Sequence, residues 1–74
     1  MSEVKCDFSY DLLWKLLIDR RMKKKDLRQK ASLSPNVIAK MGRRESVSLE
    51  TLAKICMVLG CDLSDIVKII PKEV

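Results

Sequence analysis

The chain has 74 residues with a formal net charge of +5, and 47% of its residues are hydrophobic, 34% charged, with only two glycines and two prolines. That length holds one domain with one hydrophobic core, and the composition excludes a disordered, collagen-like or linker chain. No apolar run approaches the roughly 20 residues of a membrane span and the first residues lack a signal-peptide segment, so a cytoplasmic protein that binds no membrane is expected.

Apolar residues recur at spacings of three and four and no strand alternation is sustained, which predicts an all-α fold of five short helices. Ser9 is the expected N-cap of the first, running to about Arg21, with Leu13, Leu16, Leu17 and Arg20 on adjoining turns and Trp14 stacked below Ile18 in the core. A short second helix spans about Lys24 to Ala31, anchored by Leu27 and Ala31. Ser32, Leu33 and Ser34 form a tight connection, and Ser34 followed by Pro35 is a start signal for a third helix reaching Met41. Its apolar face is Val37, Ile38 and Met41, which leaves Asn36, Ala39, Lys40 and Arg43 pointing outward.

Gly42 is the expected stop of that helix. Ser48 caps a fourth, from Leu49 to Leu59, whose buried stripe is Leu49, Leu52, Ala53, Cys56 and Leu59, with Gly60 as its stop. Asp62 with Asp65 three residues on resembles a capping box and predicts a fifth helix from Leu63 to about Ile70, before Pro71. The whole chain is read as a single domain, with residues 1–8 as an N-terminal arm, 24–41 as the two central helices and their turn, and 71–74 as a C-terminal tail.

The chemistry-bearing residues are few. Histidine is absent and the three cysteines, Cys6, Cys56 and Cys61, are an odd count, which points away from a structural metal and a disulfide framework. Cys56 lies on a buried stripe, so packing explains it better than redox sensing. With no histidine, no Gly-rich phosphate loop and acids that helix capping accounts for, neither catalysis nor a cofactor is expected.

The charge is unevenly spread. Between Arg20 and Arg44 stand ten basic residues and a single acid, Asp26, a segment charge of +9, while the flanks together carry −4. A single-sign field invites a polyanion, and the turn signals at Ser32 and Ser34 break the amphipathic run that a lipid surface would need, so nucleic acid is preferred. Three aromatic residues in all do not make a base-stacking platform for RNA. Within the basic segment, Lys23, Lys24 and Lys25 crowd the start of the second helix, where cations oppose the helix dipole by about 0.3–1 kcal/mol each. A local choice that works against stability is expected where phosphate is bound.

These stretches, MKKKDLRQKASLSPNVIAKMGRRE and then VSLETLAKICMVLGCDLSDIV, with DLLWKLLIDR in front, resemble the lambda-repressor-like (Cro and phage-repressor) helix-turn-helix family, especially its small stand-alone bacterial transcriptional regulators. The resemblance covers about Tyr10 to Ile70. It implies a third helix in the major groove of double-stranded DNA and a second that crosses the backbone. By position it implies base-facing roles for Pro35, Asn36, Val37 and Lys40. Asn36 suits an adenine edge, Lys40 a guanine and Val37 a thymine methyl, whereas Pro35 has no donor and serves as cap and spacer.

Backbone contacts are expected from Lys23, Lys24, Lys25, Arg28, Ser34, Arg43 and Arg44, with Lys24 standing where the family often has a phosphate-contacting Gln. Three departures stand out: Ser32 and Arg44 occupy positions where the family often has Gly, and Met41 one where an aromatic residue or Leu is common. A positive φ at Ser32 would carry strain of about 1 kcal/mol.

A sequence-specific regulator is the first expectation. One module offers few base contacts, so a homodimer on half-sites about 34 Å apart is expected with it. Ile66, Ile69, Ile70, Val4 and Phe8 are candidates for its face, with Ile66 and Ile70 leaning toward the core. The alternative is a protein-interaction module on the same scaffold, a toxin neutraliser or accessory regulator with weak DNA binding. The sequence carries no sign of which small-molecule effector, if any, modulates either.

Overall fold

Apolar residues at helical spacing turn one face of each helix inward, and those faces meet on a single core. The computed structural model describes residues 5–72. Its elements run β1 (Cys6–Ser9), α1 (Asp11–Asp19), α2 (Lys24–Lys30), α3 (Pro35–Gly42), α4 (Leu49–Leu59), a single 3-10 turn (Leu63–Asp65) and β2 (Lys68–Pro71). Leu13 and Leu17 of α1, Leu27 of α2, Leu33 of the following turn, Met41 of α3, and Ile55 and Leu59 of α4 fill the centre, closed by Tyr10 and Ile66. Leu13, Leu27 and Ile55 are completely buried, each stabilising the fold by about 1.5–3 kcal/mol relative to exposure.

The fold is mostly helical but not all-α, and the described residues form four α-helices rather than five. The expected capping box is present, since the Asp62 amide donates to the Asp65 carboxylate at 2.9 Å. It opens only one 3-10 turn. The next residues, Ile66, Val67, Ile69 and Ile70, are β-branched, and such side chains lose rotamer freedom in a helix and sit well on a pleated surface. Ile69 and Ile70 fall in strand β2, which pairs antiparallel with β1 in the register Cys6↔Pro71 to Ser9↔Lys68. Residues 6–8, read as part of an arm, therefore lie in a sheet, and Pro71, read as tail, closes its partner strand.

Two further expectations shift. Helix α1 begins at Asp11 with Tyr10 at its N-cap position, and Ser9 only accepts a long bond from the Asp11 amide, 3.4 Å. In α4 the buried stripe turns by one row: Ile55 and Leu59 are buried and Leu52 and Cys56 half-buried, while Leu49 and Ala53 are exposed. Positions 52, 55, 56 and 59 are the helical repeat that faces the core, and Leu49, on the first turn, lies one row outside it. Ile66 is fully buried, which removes it from any contact with a second copy. Ile69 is exposed, Phe8 and Ile70 are half-buried, and Val4 lies outside the described residues.

All four helices end the same way. After each, an amide reaches back to the carbonyl five residues earlier: Met22 to Leu17 at 2.8 Å, Leu33 to Arg28 at 2.9 Å, Glu45 to Lys40 at 3.0 Å and Cys61 to Cys56 at 3.0 Å. This is the Schellman closure, which needs a left-handed residue just before the donor. Those residues are Arg21, Ser32, Arg44 and Gly60, with φ of 56°, 53°, 61° and 66°. Only the last is glycine. The positive φ considered at Ser32 is therefore present, Arg44 adopts one where the family often has Gly, and Arg21 is a third case that sequence reading missed. Gly42 is the final residue of α3, so the stop is Arg44 rather than Gly42.

Candidate nucleic-acid interface

Helices α2 and α3 are joined by a turn that Leu33 pins from inside, being buried at 7% exposure between two exposed serines. The Asp26 carboxylate accepts the Lys23 amide at 2.9 Å, which caps the start of α2 despite the lysines around it. Ser34 stands at the N-cap position of α3 with extended backbone and Pro35 follows as its first residue, although the Ser34 hydroxyl makes no cap bond. That hydroxyl is left on an exposed residue at the helix entrance.

Helix α3 turns Met41 into the core and packs Val37 and Ile38 against it. Pro35, Asn36, Ala39 and Arg43 are exposed and Lys40 is half-buried. Asn36, Lys40 and Arg43 recur at four and three residues, so they share one outer strip of the helix. Val37, expected both in the apolar face and at a base, is half-buried at the margin of that strip. The third helix is thus neither sealed inside the molecule nor apolar on its outer side.

The cations divide into two kinds. Arg43 donates through Nε to Glu45, and Arg44 lies 3.8 Å from the Asp11 carboxylate, so each arginine after α3 shares its charge with an acid. Both pairs are exposed and contribute little to stability. Among the described residues, Lys23, Lys24, Lys25, Arg28, Lys30 and Lys40 form no ion pair. Lys24 has a different partner: its Nζ lies 4.2 Å from the centroid of the Trp14 ring. Sequence reading placed Trp14 in the core and so missed this contact. Trp14 is in fact half-buried on α1, and no local sequence signal ties it to Lys24 ten positions on.

The loop after α3 is tied down from behind. Tyr10, buried at 2% exposure, donates its hydroxyl to the Glu45 carbonyl at 2.8 Å, and the Phe8 amide reaches the Arg44 carbonyl at 3.4 Å. Burial pushes the Tyr10 pKa above its ordinary value, which keeps the hydroxyl protonated and donating. The segment carrying Arg43 and Arg44 is thereby fixed relative to β1 and α1.

Among the described residues no helix is long and apolar enough to cross a membrane, and no three or more His, Cys, Asp or Glu side chains gather as metal ligands. A family model for the Cro/C1-type helix-turn-helix DNA-binding domain matches residues 12–72. The fold is similar to the crystal structure of transcriptional regulator VanUg, with a TM-score of 0.90 and 44% identity over 97% of this chain and 96% of that one. A comparison with curated protein sequences finds no match.

Proposed function

Since the chain belongs to the Cro/C1-type helix-turn-helix DNA-binding family, we propose that it is a transcriptional regulator that binds double-stranded DNA sequence-specifically as a homodimer on a two-fold symmetric operator. The similarity to transcriptional regulator VanUg supports the regulatory role. Residues 24–41 are the reading unit, with α3 in the major groove and α2 across the backbone. Asn36, Val37 and Lys40 meet base edges. Lys23, Lys24, Lys25, Arg28, Ser34, Arg43 and Arg44 meet the phosphate backbone, which supplies most of the affinity and its dependence on salt.

The observation that carries this reading is the exposed polar strip of α3 beside an α2 whose cations have no carboxylate partner among the described residues. Selection of binding sites from randomised duplexes tests it. A two-fold symmetric consensus with half-sites about one helical turn, about 34 Å, apart is expected, and failure to enrich any sequence contradicts it.

A second reading, a protein-interaction module on this scaffold, is favoured by one feature. Leu49, Ala53, Met57 and Leu63 line an apolar surface hollow, with Met57 exposed to 84%. Enrichment of no duplex together with stoichiometric binding to a protein would establish it.

A further inference from the structure

We propose that Trp14 is a positioning residue for DNA binding: its indole face holds the Lys24 ammonium in place for a backbone phosphate without neutralising it. This rests on the assignment of Lys24 to the backbone made above. Lys24 is the first residue of α2, and its side chain lies across the ring of Trp14 on α1, 4.2 Å from Nζ to the ring centroid. Trp14, Leu17, Ile18 and Met22 line a small hollow with it, about 130 Å³ in volume, so the aliphatic stem of the lysine rests on apolar groups while its charge remains at the surface.

The contrast with the other ordered cations gives the contact its meaning. Arg43 and Arg44 are held by Glu45 and Asp11, and every such pairing subtracts from the field that a polyanion meets. An indole attracts a cation through its ring quadrupole and carries no net charge. Lys24 is therefore restrained while keeping its full positive charge, and the N–H groups turned away from the ring stay available to an acceptor. Restraint before binding removes part of the rotamer entropy that a free lysine loses on meeting a phosphate. The same contact accounts for a lysine at a position where the helix dipole disfavours one.

The test uses the full chain, a short duplex of mixed sequence and the variants W14F, W14L, K24A and W14L/K24A, with affinity measured across a salt series. K24A is expected to lower the log-log salt slope by about one unit. W14L is expected to weaken binding by about two- to five-fold, the worth of an exposed cation–π contact, while keeping the wild-type slope, because the lysine is still present but no longer held. W14F is expected to fall between wild type and W14L. In the K24A background W14L should have no further effect, which a merely structural role for Trp14 would not produce.

An NMR measurement on the free wild-type chain guards against a W14L variant that fails to fold: the Lys24 ε-methylene protons should be shifted upfield by the ring, and W14F should reduce the shift. Equal losses from W14L with and without Lys24, or an unshifted ε-methylene, overturn the proposal while leaving the DNA reading intact. A wild-type chain without salt-dependent affinity, or K24A binding as wild type does, overturns the backbone role of Lys24 and this proposal with it.

Discussion

Tyr10 shows how one side chain links the core to the loop behind α3. Its ring fills space beside Leu13 and its hydroxyl holds the Glu45 carbonyl, so loss of the hydroxyl leaves an acceptor at the loop behind α3 without its donor. Tyr10→Phe is expected to lower stability by about 0.5–1.5 kcal/mol in urea unfolding and to loosen the segment carrying Arg43. At the proposed base contact, Asn36→Ala should cost about 1–3 kcal/mol of binding on the selected duplex and little on mixed sequence. Equal losses on the two, measured by fluorescence anisotropy, would remove Asn36 from base reading. The outward position of Asn36 was legible because polar residues at helical spacing face out when Val37, Ile38 and Met41 face in. Trp14 was not, because a lone Trp at core-like spacing reads as packing until the neighbouring helix places a lysine over it.

Backbone conformation carries the argument for the elements. Three of four Schellman closures use a non-glycine residue with φ between 53° and 61°, a region that L-residues enter at a cost of about 1–2 kcal/mol. Arg21→Gly, Ser32→Gly and Arg44→Gly are each expected to stabilise the fold by about 0.5–1 kcal/mol after the extra chain entropy of glycine is counted. Thermal melts check this, a gain of that size raising Tm by about 2–8 °C in so small a domain. A drop in Tm for all three would mean that the side chains contribute more than the strain removes.

The helix starts at Ser34-Pro35 and Ser48 were readable because capping is local chemistry, and Ser48 does accept the Thr51 amide at 3.1 Å. The sheet was unreadable for the opposite reason: each strand has four residues, too few for periodicity, and Cys6 pairs with Pro71 across nearly the whole chain. The row of α4 that faces inward likewise depends on what packs against it, so Leu49, expected inside, is exposed and Ile55, outside the expected stripe, is buried.

For the molecule as a whole, alkaline pH is the clearest lever. The Cys56 thiol is pushed up from its ordinary 9.0 to about 11, first by burial and then by the neighbouring Cys61, Asp62 and Asp65. Below the ordinary value both folded and unfolded chains keep the proton. Between there and the folded value the unfolded chain loses it first, so stability falls as pH rises through that window and levels off above it. Burial raises the Tyr10 pKa as well, extending the decline. Cys56→Ser is expected to make the fall in Tm between about pH 9 and 11 shallower, and an unchanged profile would show that the thiol is not responsible.

The central claim is that the outer strip of α3, flanked by the cations of α2, is where duplex DNA docks. Amide chemical-shift mapping during titration with a short duplex tests it most directly. The perturbations are expected on Lys24, Lys25, Ser34, Asn36, Ala39, Lys40 and Arg43, with Leu49, Met57 and Leu63 unmoved. Shifts confined to α4 and the 3-10 turn, with α3 silent, would contradict it.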